Sequence, residues 1–328
     1  MRFRQDNWIL ILAAGGCDTL GHLTTDREGR SVPKQFCSLN GGGSLLQGSL
    51  RRARQLVPSR RICAVVDPYH EHYWRPMLAA LPDSNVILQP CNRGTMNALL
   101  LGVLGILERD PEARIVVWQA DHHVLDEETL VNSVRSAAAA LRRDRASLLG
   151  GRVLLLGMVS DDIDDALSYI IPGAPLGHGI REVARFAEKP TVLFARDLTG
   201  RGALCNSLIL AAKGTSFVEC IRERYAGIVE GLLARVAIDI SGERAPGHLH
   251  EFYQTLPVLN LSQVAGQGGE TAFCVFTVPA CGWTDLATPR RVSNALHRVW
   301  SSPDREAVVG GRGALAPLSL ANRYRALL

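Results

Sequence analysis

Two glycines and a lysine stand out because of where they lie relative to the first strongly apolar segment of this 328-residue chain. The apolar residues 9–14 predict a buried parallel strand, and Gly15 and Gly16 predict the turn that leaves it. Pro33 and Lys34 close the polar loop that follows. Glycines after a strand let backbone N–H groups approach a phosphate closely, and a lysine adds a charge that polarises it. The segment predicts a nucleotide-binding loop, although a lysine taken without its context is more often a surface residue.

Two aspartates are candidate metal ligands. Asp121 follows the apolar residues 115–118, and a carboxylate at the end of a buried strand is costly unless it is paired or bound to a metal. We therefore favour a magnesium ligand over a structural hydrogen bond for Asp121, whereas Asp285, taken alone, is more often a turn residue. The adjacent His122 and His123 raise the alternative of zinc. Zinc is the weaker alternative, because neighbouring side chains on a loop rarely converge on one metal and magnesium prefers oxygen ligands.

Two further polar segments follow apolar runs. Residues 89–95 connect a predicted strand to a predicted helix, and their backbone N–H groups together with Arg93 can hold an anion. An ordinary turn before a capped helix explains them equally well. Glu188 and Lys189 place opposite charges side by side after another strand, where a solvated loop is the simpler interpretation. The dinucleotide pattern G-x-G-x-x-G, which Cys17 interrupts, and the pattern G-x-x-x-x-G-K-[ST] do not occur, so a dehydrogenase is disfavoured.

Strands and helices alternate through the first half of the chain, which is typical of a doubly wound, mostly parallel sheet. In such sheets ligands bind outside the carboxyl ends of the strands, and Gly15, Gln89 and Asp121 all lie at predicted strand ends. Their convergence predicts a binding site at that edge. Predicted strands cover 9–14, 62–66, 86–88 and 115–118, and predicted helices cover 44–57, 70–81 (interrupted or started by Pro76), 95–108 (with Thr95 as N-cap) and 127–143.

The second half of the chain is less regular. Strands are predicted at 153–159, 182–187 and 208–212, and helices at 217–236 and 289–300. One α/β core with an inserted or appended α+β part fits this pattern better than two independent domains. We therefore predict a single domain over residues 1–300, with halves at about 1–150 and 151–300, followed by a C-terminal tail at 301–328.

Composition narrows the class of protein. The hydrophobic content of 47%, the charged content of 21% and the net charge of +4 are ordinary for a soluble globular protein. The arginines are scattered rather than clustered in a basic stripe, so we expect no nucleic-acid partner. The eight cysteines form no C-x-x-C pair, and the chain shows neither a signal peptide nor an apolar run of about 18 residues. We expect free thiols in the reducing cytoplasm and no membrane span.

Six motifs occur in the order found in the sugar-1-phosphate nucleotidyltransferases: LAAG…PKQF, QPCNRGT, ADHHV, FAEKP, CNSLIL and GWTDLATP. The chain resembles the mannose-1-phosphate guanylyltransferases in particular, through PKQF and the asparagine-arginine-glycine-threonine turn. The resemblance extends from about Ile9 to Val292. It implies a Rossmann-like sheet over which a sugar 1-phosphate attacks the α-phosphorus of a nucleoside triphosphate, leaving a nucleotide sugar and pyrophosphate. Positioning and charge neutralisation supply most of the acceleration in such chemistry.

The resemblance also implies roles for particular residues. Lys34, Asp121 and Asp285 would be catalytic, and the two aspartates would share Mg²⁺. The expected nucleotide-binding residues are Ala14, Gly15, Gly16, Lys34, Gln89, Asn92, Arg93, Gly94 and Thr95. The expected sugar-phosphate-binding residues are Tyr169, Glu188, Lys189 and Asn206.

The departures from the family pattern lie where the chemistry should happen. Cys17 replaces a glycine and Thr19 replaces an arginine in the first motif, with Asp18 beside them, which predicts reduced activity. Arg27 or Arg30 in the same loop could substitute for the lost arginine. Further replacements are Ser168 for a glycine, Cys205 for a tryptophan and Ala287 for a glycine.

Two functional hypotheses follow. The first is a nucleotidyltransferase that uses GTP and mannose 1-phosphate and supplies a nucleotide sugar for polysaccharide biosynthesis. The second is a catalytically impaired relative that binds a sugar nucleotide and regulates or scaffolds a partner. The retained aspartates favour the first hypothesis, and the altered loop favours the second. Under either hypothesis the chain could form a homodimer.

Overall fold

The computed structural model describes residues 7–16, 20–26, 28–143, 151–160, 163–241, 247–261, 270–301 and 317–325. Among the positions singled out above, Cys17, Asp18, Thr19 and Arg27 lie outside the described residues. The predicted consequences of the altered glycine-rich loop therefore remain predictions.

Nine strands and nine α-helices make up the regular structure in the described part of the chain, apart from short 3₁₀ turns. The strands are β1 Asn7–Leu12, β2 Ile62–Val66, β3 Val86–Leu88, β4 Arg114–Gln119, β5 Val153–Met158, β6 Tyr169–Gly177, β7 Ile180–Ala187, β8 Leu204–Lys213 and β9 Phe273–Val278. The helices are α1 Leu45–Arg54, α2 Glu71–Leu78, α3 Thr95–Leu107, α4 Glu127–Arg143, α5 Val192–Gly200, α6 Gly214–Ser241, α7 Gly247–Thr255, α8 Pro289–Ser301 and α9 Leu320–Arg325. Helix α6 is kinked at Tyr225, whose backbone angles are not helical.

All nine strands belong to one sheet in the order β3-β2-β1-β4-β8-β5-β9-β7-β6, and β8 also pairs with β6. Strands β1 to β4 are parallel to their neighbours within this group. Strand β8 is antiparallel to β4 and β5, β5 is parallel to β9, and β7 is antiparallel to β9 and β6. The sheet is thus parallel in its first half and mixed in its second, and the predicted α/β class is confirmed.

Helices cover both faces of the sheet. One core contains side chains of α1, α4 and α8, and the other contains side chains of α3, α6 and α7. Every residue of β1 is buried, as expected for a parallel strand with helices on both sides. The chain places β2 and β3 on one side of β1 and then returns to place β4 on the other. The strand order therefore reverses between β1 and β4, and such a reversal opens a crevice at the carboxyl ends of the strands.

Several predicted elements are corrected by the structure. Thr95 is not the N-cap of α3 but its first residue, and Gly94 is the N-cap. The stretch 161–179 between two predicted strands contains strand β6, which the sequence pattern obscured because Pro172 and Pro175 lie in it and its pairing with β7 shifts register. Helices α5 and α7 were not predicted. Helix α2 passes Pro76 by only two residues and ends at Leu78.

The described part of the predicted C-terminal tail packs onto the first half of the chain. The backbone N–H of Ser38 donates to the carbonyl of Leu318 at 2.8 Å, and Leu320 donates back to Ser38 at 2.8 Å. The side chain of Leu320 is fully buried. Residues 317–325 are therefore part of the folded body.

The seven described cysteines are free thiols, five of them buried. Within the described ranges, no helix combines the length and the apolar character needed to cross a membrane.

Candidate active site

A cavity of about 260 Å³ opens at the carboxyl ends of β1 and β4, where the strand order reverses. It brings together most of the residues that the sequence assigned to the nucleotide. Those that line it are Ala14, Gly15, Gly16, Gln89, Asn92, Gly94 and Thr95, together with the candidate metal ligand Asp121. Residues from separate segments of the chain thus meet at one edge of the sheet.

Gln35 fixes the glycine turn after β1. Its buried side-chain amide donates to the carbonyl of Ala13 at 2.9 Å and to that of Gly15 at 2.8 Å. These two bonds hold the end of the apolar strand and the start of the turn in one arrangement. The sequence analysis gives Gln35 no role, although its position next to Lys34 in the same motif could have indicated one.

Gly94 is required by the turn that leads into α3. Its φ of +86° is a left-handed conformation that L side chains rarely adopt, and a Cβ built there would lie 2.2 Å from the carbonyl oxygen of Leu259. That carbonyl accepts a hydrogen bond from the N–H of Met96 at 3.0 Å, so it cannot move away without breaking this bond. The close approach explains why this position is a glycine.

The segment that meets Gly94 also supplies a cavity residue that the sequence did not reveal. The N–H of Leu261 donates to the Thr95 hydroxyl at 3.0 Å, and the neighbouring Asn260 lines the cavity. Asn260 is far from the motifs in sequence and follows no regular apolar pattern. Only the three-dimensional contact identifies it.

Arg93 makes a contact that the sequence does not predict. Its guanidinium donates to the backbone carbonyl of Gln254, at the end of α7, with an N–O distance of 2.5 Å, and the residue is not among those that line the cavity. This contact anchors the turn to α7, and an anion contact of Arg93 stays a prediction. The physical reason is that α7, which the sequence did not predict, places a helix-end carbonyl within reach.

Gln89 is the most distinctive polar group in the cavity. The residue is 1% exposed, and neither the oxygen nor the nitrogen of its side-chain amide has a hydrogen-bond partner among the described residues. The buried hydroxyl of Tyr253 lies near it but makes no hydrogen bond of ordinary geometry with it. Buried polar groups are almost always satisfied, so an amide with both ends open in a cavity is suited to a ligand that offers both a donor and an acceptor.

Lys34 is buried, contrary to the expectation for a lone lysine. Its amine lies 2.8 Å from a carboxylate oxygen of Asp121 and donates to the backbone carbonyl of Asp285 at 2.6 Å. Burial is the strongest single influence and raises the pKa of Asp121, but the charge and hydrogen bond of Lys34, together with the neighbouring His122, outweigh it and hold that pKa below its ordinary value. Lys34 thus joins the two candidate metal-binding segments, which are distant in sequence.

Arg291 holds the carboxylate of Asp285. One guanidinium nitrogen of Arg291 lies 2.7 and 2.8 Å from the two carboxylate oxygens of Asp285, and its Nε lies 2.7 Å from Asp164. One oxygen of Asp285 also accepts from the N–H of Ala287 at 3.0 Å. The side chain of Arg291 is only 6% exposed, so this network is largely shielded from water. No sequence pattern pointed to Arg291.

The two aspartates differ in their fitness for magnesium. The second carboxylate oxygen of Asp121 is buried with no hydrogen-bond partner among the described residues, so it is free to coordinate a cation. Both oxygens of Asp285 are already engaged by Arg291. Asp121 therefore fits a metal site, whereas Asp285 would first have to exchange its contact with Arg291.

The neighbouring histidines lie in different surroundings. His122 is buried against the ring of Trp283, with ring centroids 5.2 Å apart, and burial lowers its pKa. Burial lowers the pKa of His123 to about 4. In the ranges that the structure covers, no three His, Cys, Asp or Glu residues are grouped so that they could hold a metal ion.

The predicted sugar-phosphate residues lie outside the first cavity. Ser168 donates to the carboxylate of Glu188 at 2.6 Å, and the backbone N–H of Asn206 donates to the carbonyl of Ser168 at 2.8 Å, so these residues share one neighbourhood. The side-chain nitrogen of Asn206 is buried without a partner among the described residues. Lys189 is exposed, whereas Tyr169 is buried with its hydroxyl bonded to the backbone of Asp164 at 2.9 Å. Tyr169 therefore stabilises the loop before β6.

Comparisons with known proteins point in the same direction as this geometry. Mannose-1-phosphate guanylyltransferase 2 of Escherichia coli O157:H7 is 25% identical over 295 residues, which cover 85% of this chain and 58% of that protein. Mannose-1-phosphate guanylyltransferase RfbM of Salmonella typhimurium is 28% identical over 294 residues, 85% of this chain and 56% of that protein. The chain is a relative of the mannose-1-phosphate guanylyltransferases. No protein-family model matches it.

The sequence similarity covers only part of the length of these relatives, whereas the similarity in fold covers most of this chain. The chain spans a little over half the length of these two guanylyltransferases. A Thermus thermophilus structure described as a mannose-1-phosphate geranyltransferase superposes with a TM-score of 0.73 at 24% identity, covering 91% of this chain and 80% of that one. This likeness shows that the chain shares the fold of that structure over most of its length.

Proposed function

We propose that this relative of the guanylyltransferases transfers a nucleotidyl group from a nucleoside triphosphate to a sugar 1-phosphate, with GTP and mannose 1-phosphate as the substrates. The observation that carries the proposal is the cavity between β1 and β4, where a buried amide without a partner, a glycine turn and Asp121 converge, with the amine of Lys34 2.8 Å from that aspartate. The names of the relatives supply the chemical class.

The nucleotide would lie over the glycine turn. Gly15 and Gly16 leave open space on their outer side, since a Cβ built at either position meets nothing within 4 Å. Backbone N–H groups there can approach phosphate oxygens without side-chain interference. The side-chain amide of Gln89, which has an unused donor and an unused acceptor, would then bind the edge of the base.

Lys34 would neutralise phosphate charge. A lysine ammonium has three N–H donors, of which Asp121 and the carbonyl of Asp285 take two. The third remains available for a phosphate oxygen. Because the amine is already held by two buried contacts, little conformational freedom is lost when the phosphate binds.

Asp121 would hold magnesium through its unpartnered oxygen, with Asp285 as the second ligand after exchange with Arg291. The ion, when bound, would neutralise charge on the triphosphate. The remaining steps belong to the substrates: an oxygen of the sugar phosphate attacks the α-phosphorus, the bond from that phosphorus to the bridging oxygen breaks, and pyrophosphate leaves with its electron pair. Glu188 and Asn206 would bind sugar hydroxyls, and Lys189 would bind the sugar phosphate.

The competing hypothesis is a relative that binds a sugar nucleotide without turnover. The engagement of both oxygens of Asp285 by Arg291 is the observation that favours it. Burial of free thiols in the described chain agrees with action in the reducing cytoplasm under either hypothesis.

A panel assay of pyrophosphate release tests the proposal. Each nucleoside triphosphate is paired with each of several sugar 1-phosphates, and we expect release only when both are present, highest with GTP and mannose 1-phosphate. The chain has three lysines, and Lys213 lies exposed at the end of β8, beside the start of β4 and away from the cavity. Lys213→Ala is therefore a matched control for Lys34→Ala. Nucleotide binding without pyrophosphate release from any pair would support the binding protein instead.

A further inference from the structure

A second cavity, of about 280 Å³, lies between the loop that precedes β6, helix α5 and helix α8. It shares no lining residue with the cavity between β1 and β4. None of the predicted sugar-phosphate residues lines it either. Its described lining includes four arginines, Arg196, Arg290, Arg291 and Arg298. Neither the sequence motifs nor the proposed function gives this cavity a role.

Two buried donors on the lining have no partner. One guanidinium nitrogen of Arg291, Nη2, is inaccessible to water and makes no hydrogen bond to a described residue, and the indole nitrogen of Trp283 is in the same condition. Both residues line the second cavity, and the side chain of Arg291 is 6% exposed. Unsatisfied buried donors are rare in folded proteins, so two of them beside one cavity indicate a ligand that accepts hydrogen bonds.

The charge around the cavity is unbalanced in the part that the structure describes. Asp164 is the acidic residue on the described lining, and Arg291 pairs with it through Nε at 2.7 Å and also with Asp285. The charges of Arg196 and Arg290 therefore favour an anion, and planar guanidinium groups match the oxygens of phosphate in bidentate geometry.

We propose that this second cavity binds a phosphate group, supplied either as inorganic phosphate or by a small phosphate monoester. The volume is near the lower end of the range for small-molecule sites, about 300 Å³, so a phosphate fits with a short substituent. The donors would be the forks of Arg196 and Arg290, together with the unpartnered nitrogen of Arg291 and the indole N–H of Trp283, which are buried and would turn toward the phosphate as it binds. No residue of the nucleotide cavity takes part in this site, although Arg291 also holds Asp285, the second metal ligand of the proposed function.

Isothermal titration calorimetry of the full chain tests the proposal with two probes, inorganic phosphate and glycerol 3-phosphate. The test variant is Arg196→Gln with Arg290→Gln, since both residues are exposed and neither belongs to the candidate active site. The matched control is Arg75→Gln with Arg201→Gln, which removes the same charge from side chains that are 71% and 77% exposed and do not line the second cavity.

We expect one phosphate to bind, with a dissociation constant about tenfold or more higher in the test variant and within about twofold of the parent in the control. Lys189→Ala should leave it within about twofold as well, because Lys189 does not line this cavity. Tighter binding of glycerol 3-phosphate would identify a phosphate monoester as the occupant, and equal binding would identify free phosphate. Absence of binding by both probes, or equal loss in the test and control variants, would overturn the proposal.

A second readout does not depend on the arginine variants. The indole N–H of Trp283 gives an NMR signal. This signal is assigned by its disappearance from the spectrum of Trp283→Phe. Phosphate should shift that signal, because the indole donates to it directly. Binding that leaves the signal unmoved would place the phosphate elsewhere and contradict the proposal.

Discussion

Removing the charge of Lys34 should destabilise the fold as well as weaken nucleotide binding. The Lys34 and Asp121 side chains are 9% and 25% exposed, and their charged atoms lie 2.8 Å apart. Breaking a buried ion pair costs about 3–5 kcal/mol, because one charge is left uncompensated. Asp121 keeps some contact with water, so we expect Lys34→Ala to lower the free energy of unfolding at neutral pH by about 3 kcal/mol, the lower end of that range.

The destabilisation should depend on pH in a definite direction. In the parent, Lys34 holds the pKa of Asp121 below its unfolded value, so this contribution to stability is present above about pH 4 and is lost as the pH falls through the lowered pKa. In Lys34→Ala, burial without the lysine charge raises the pKa of Asp121 above its unfolded value. The variant therefore loses stability as the pH rises. The difference between parent and variant should be largest near neutral pH and should become smallest below about pH 4, once the pH has fallen through the lowered pKa of Asp121 in the parent.

Urea unfolding followed by circular dichroism measures both effects. Lys213→Ala should change the unfolding free energy by no more than about 0.5 kcal/mol, since that lysine is exposed. The double change Lys34→Ala with Asp121→Asn should recover much of the loss, because no buried charge is then left unpaired. Equal stability of the Lys34 and Lys213 variants, or a loss that does not vary with pH, would refute the ion-pair reasoning.

Three further predictions can be checked directly. Asp121→Asn and Asp285→Asn should each abolish magnesium-dependent turnover while leaving a folded chain by circular dichroism; turnover within a few-fold of the parent for either one would contradict its assignment as a metal ligand. Lys189→Ala should weaken binding of the sugar phosphate more than binding of the nucleotide, which separate calorimetric titrations of the two ligands would show. Gly94→Ala should lower the unfolding free energy by about 2–4 kcal/mol because its Cβ would strike a bonded carbonyl, whereas Gly227→Ala, with open space around it, should not destabilise; equal effects would be the contrary result.

The parallel half of the fold could be predicted because its signals are local. Fully buried strands such as Ile62–Val66 form continuous apolar runs, and helices such as Glu127–Arg143 show regular apolar spacing. Strand Tyr169–Gly177 could not be predicted, since its prolines mask the hairpin that it forms with β7, and its other partner, β8, lies farther along the chain. Tertiary contacts rather than local propensity decide such strands.

The residues of the candidate site likewise include some that the sequence predicts and some that only the structure reveals. Gly15, Gln89 and Asp121 were predicted together because the carboxyl ends of parallel strands meet at one edge. The contact between Arg291 and Asp285 could not be foreseen, because it depends on how the first turn of α8 faces the preceding loop. The contact between Arg93 and Gln254 could not be foreseen for a related reason, since Gln254 belongs to a helix that the sequence did not reveal.

The proposed reaction is tested most directly by ³¹P NMR of the full chain with GTP, mannose 1-phosphate and Mg²⁺. We expect the signals of both substrates to decline together while a nucleotide-sugar diphosphate and pyrophosphate appear in equal amounts. Omitting either substrate, or replacing the chain by Asp121→Asn, should leave the spectrum unchanged with time. Substrate signals that broaden on binding but never give pyrophosphate would contradict the account and identify a binding protein.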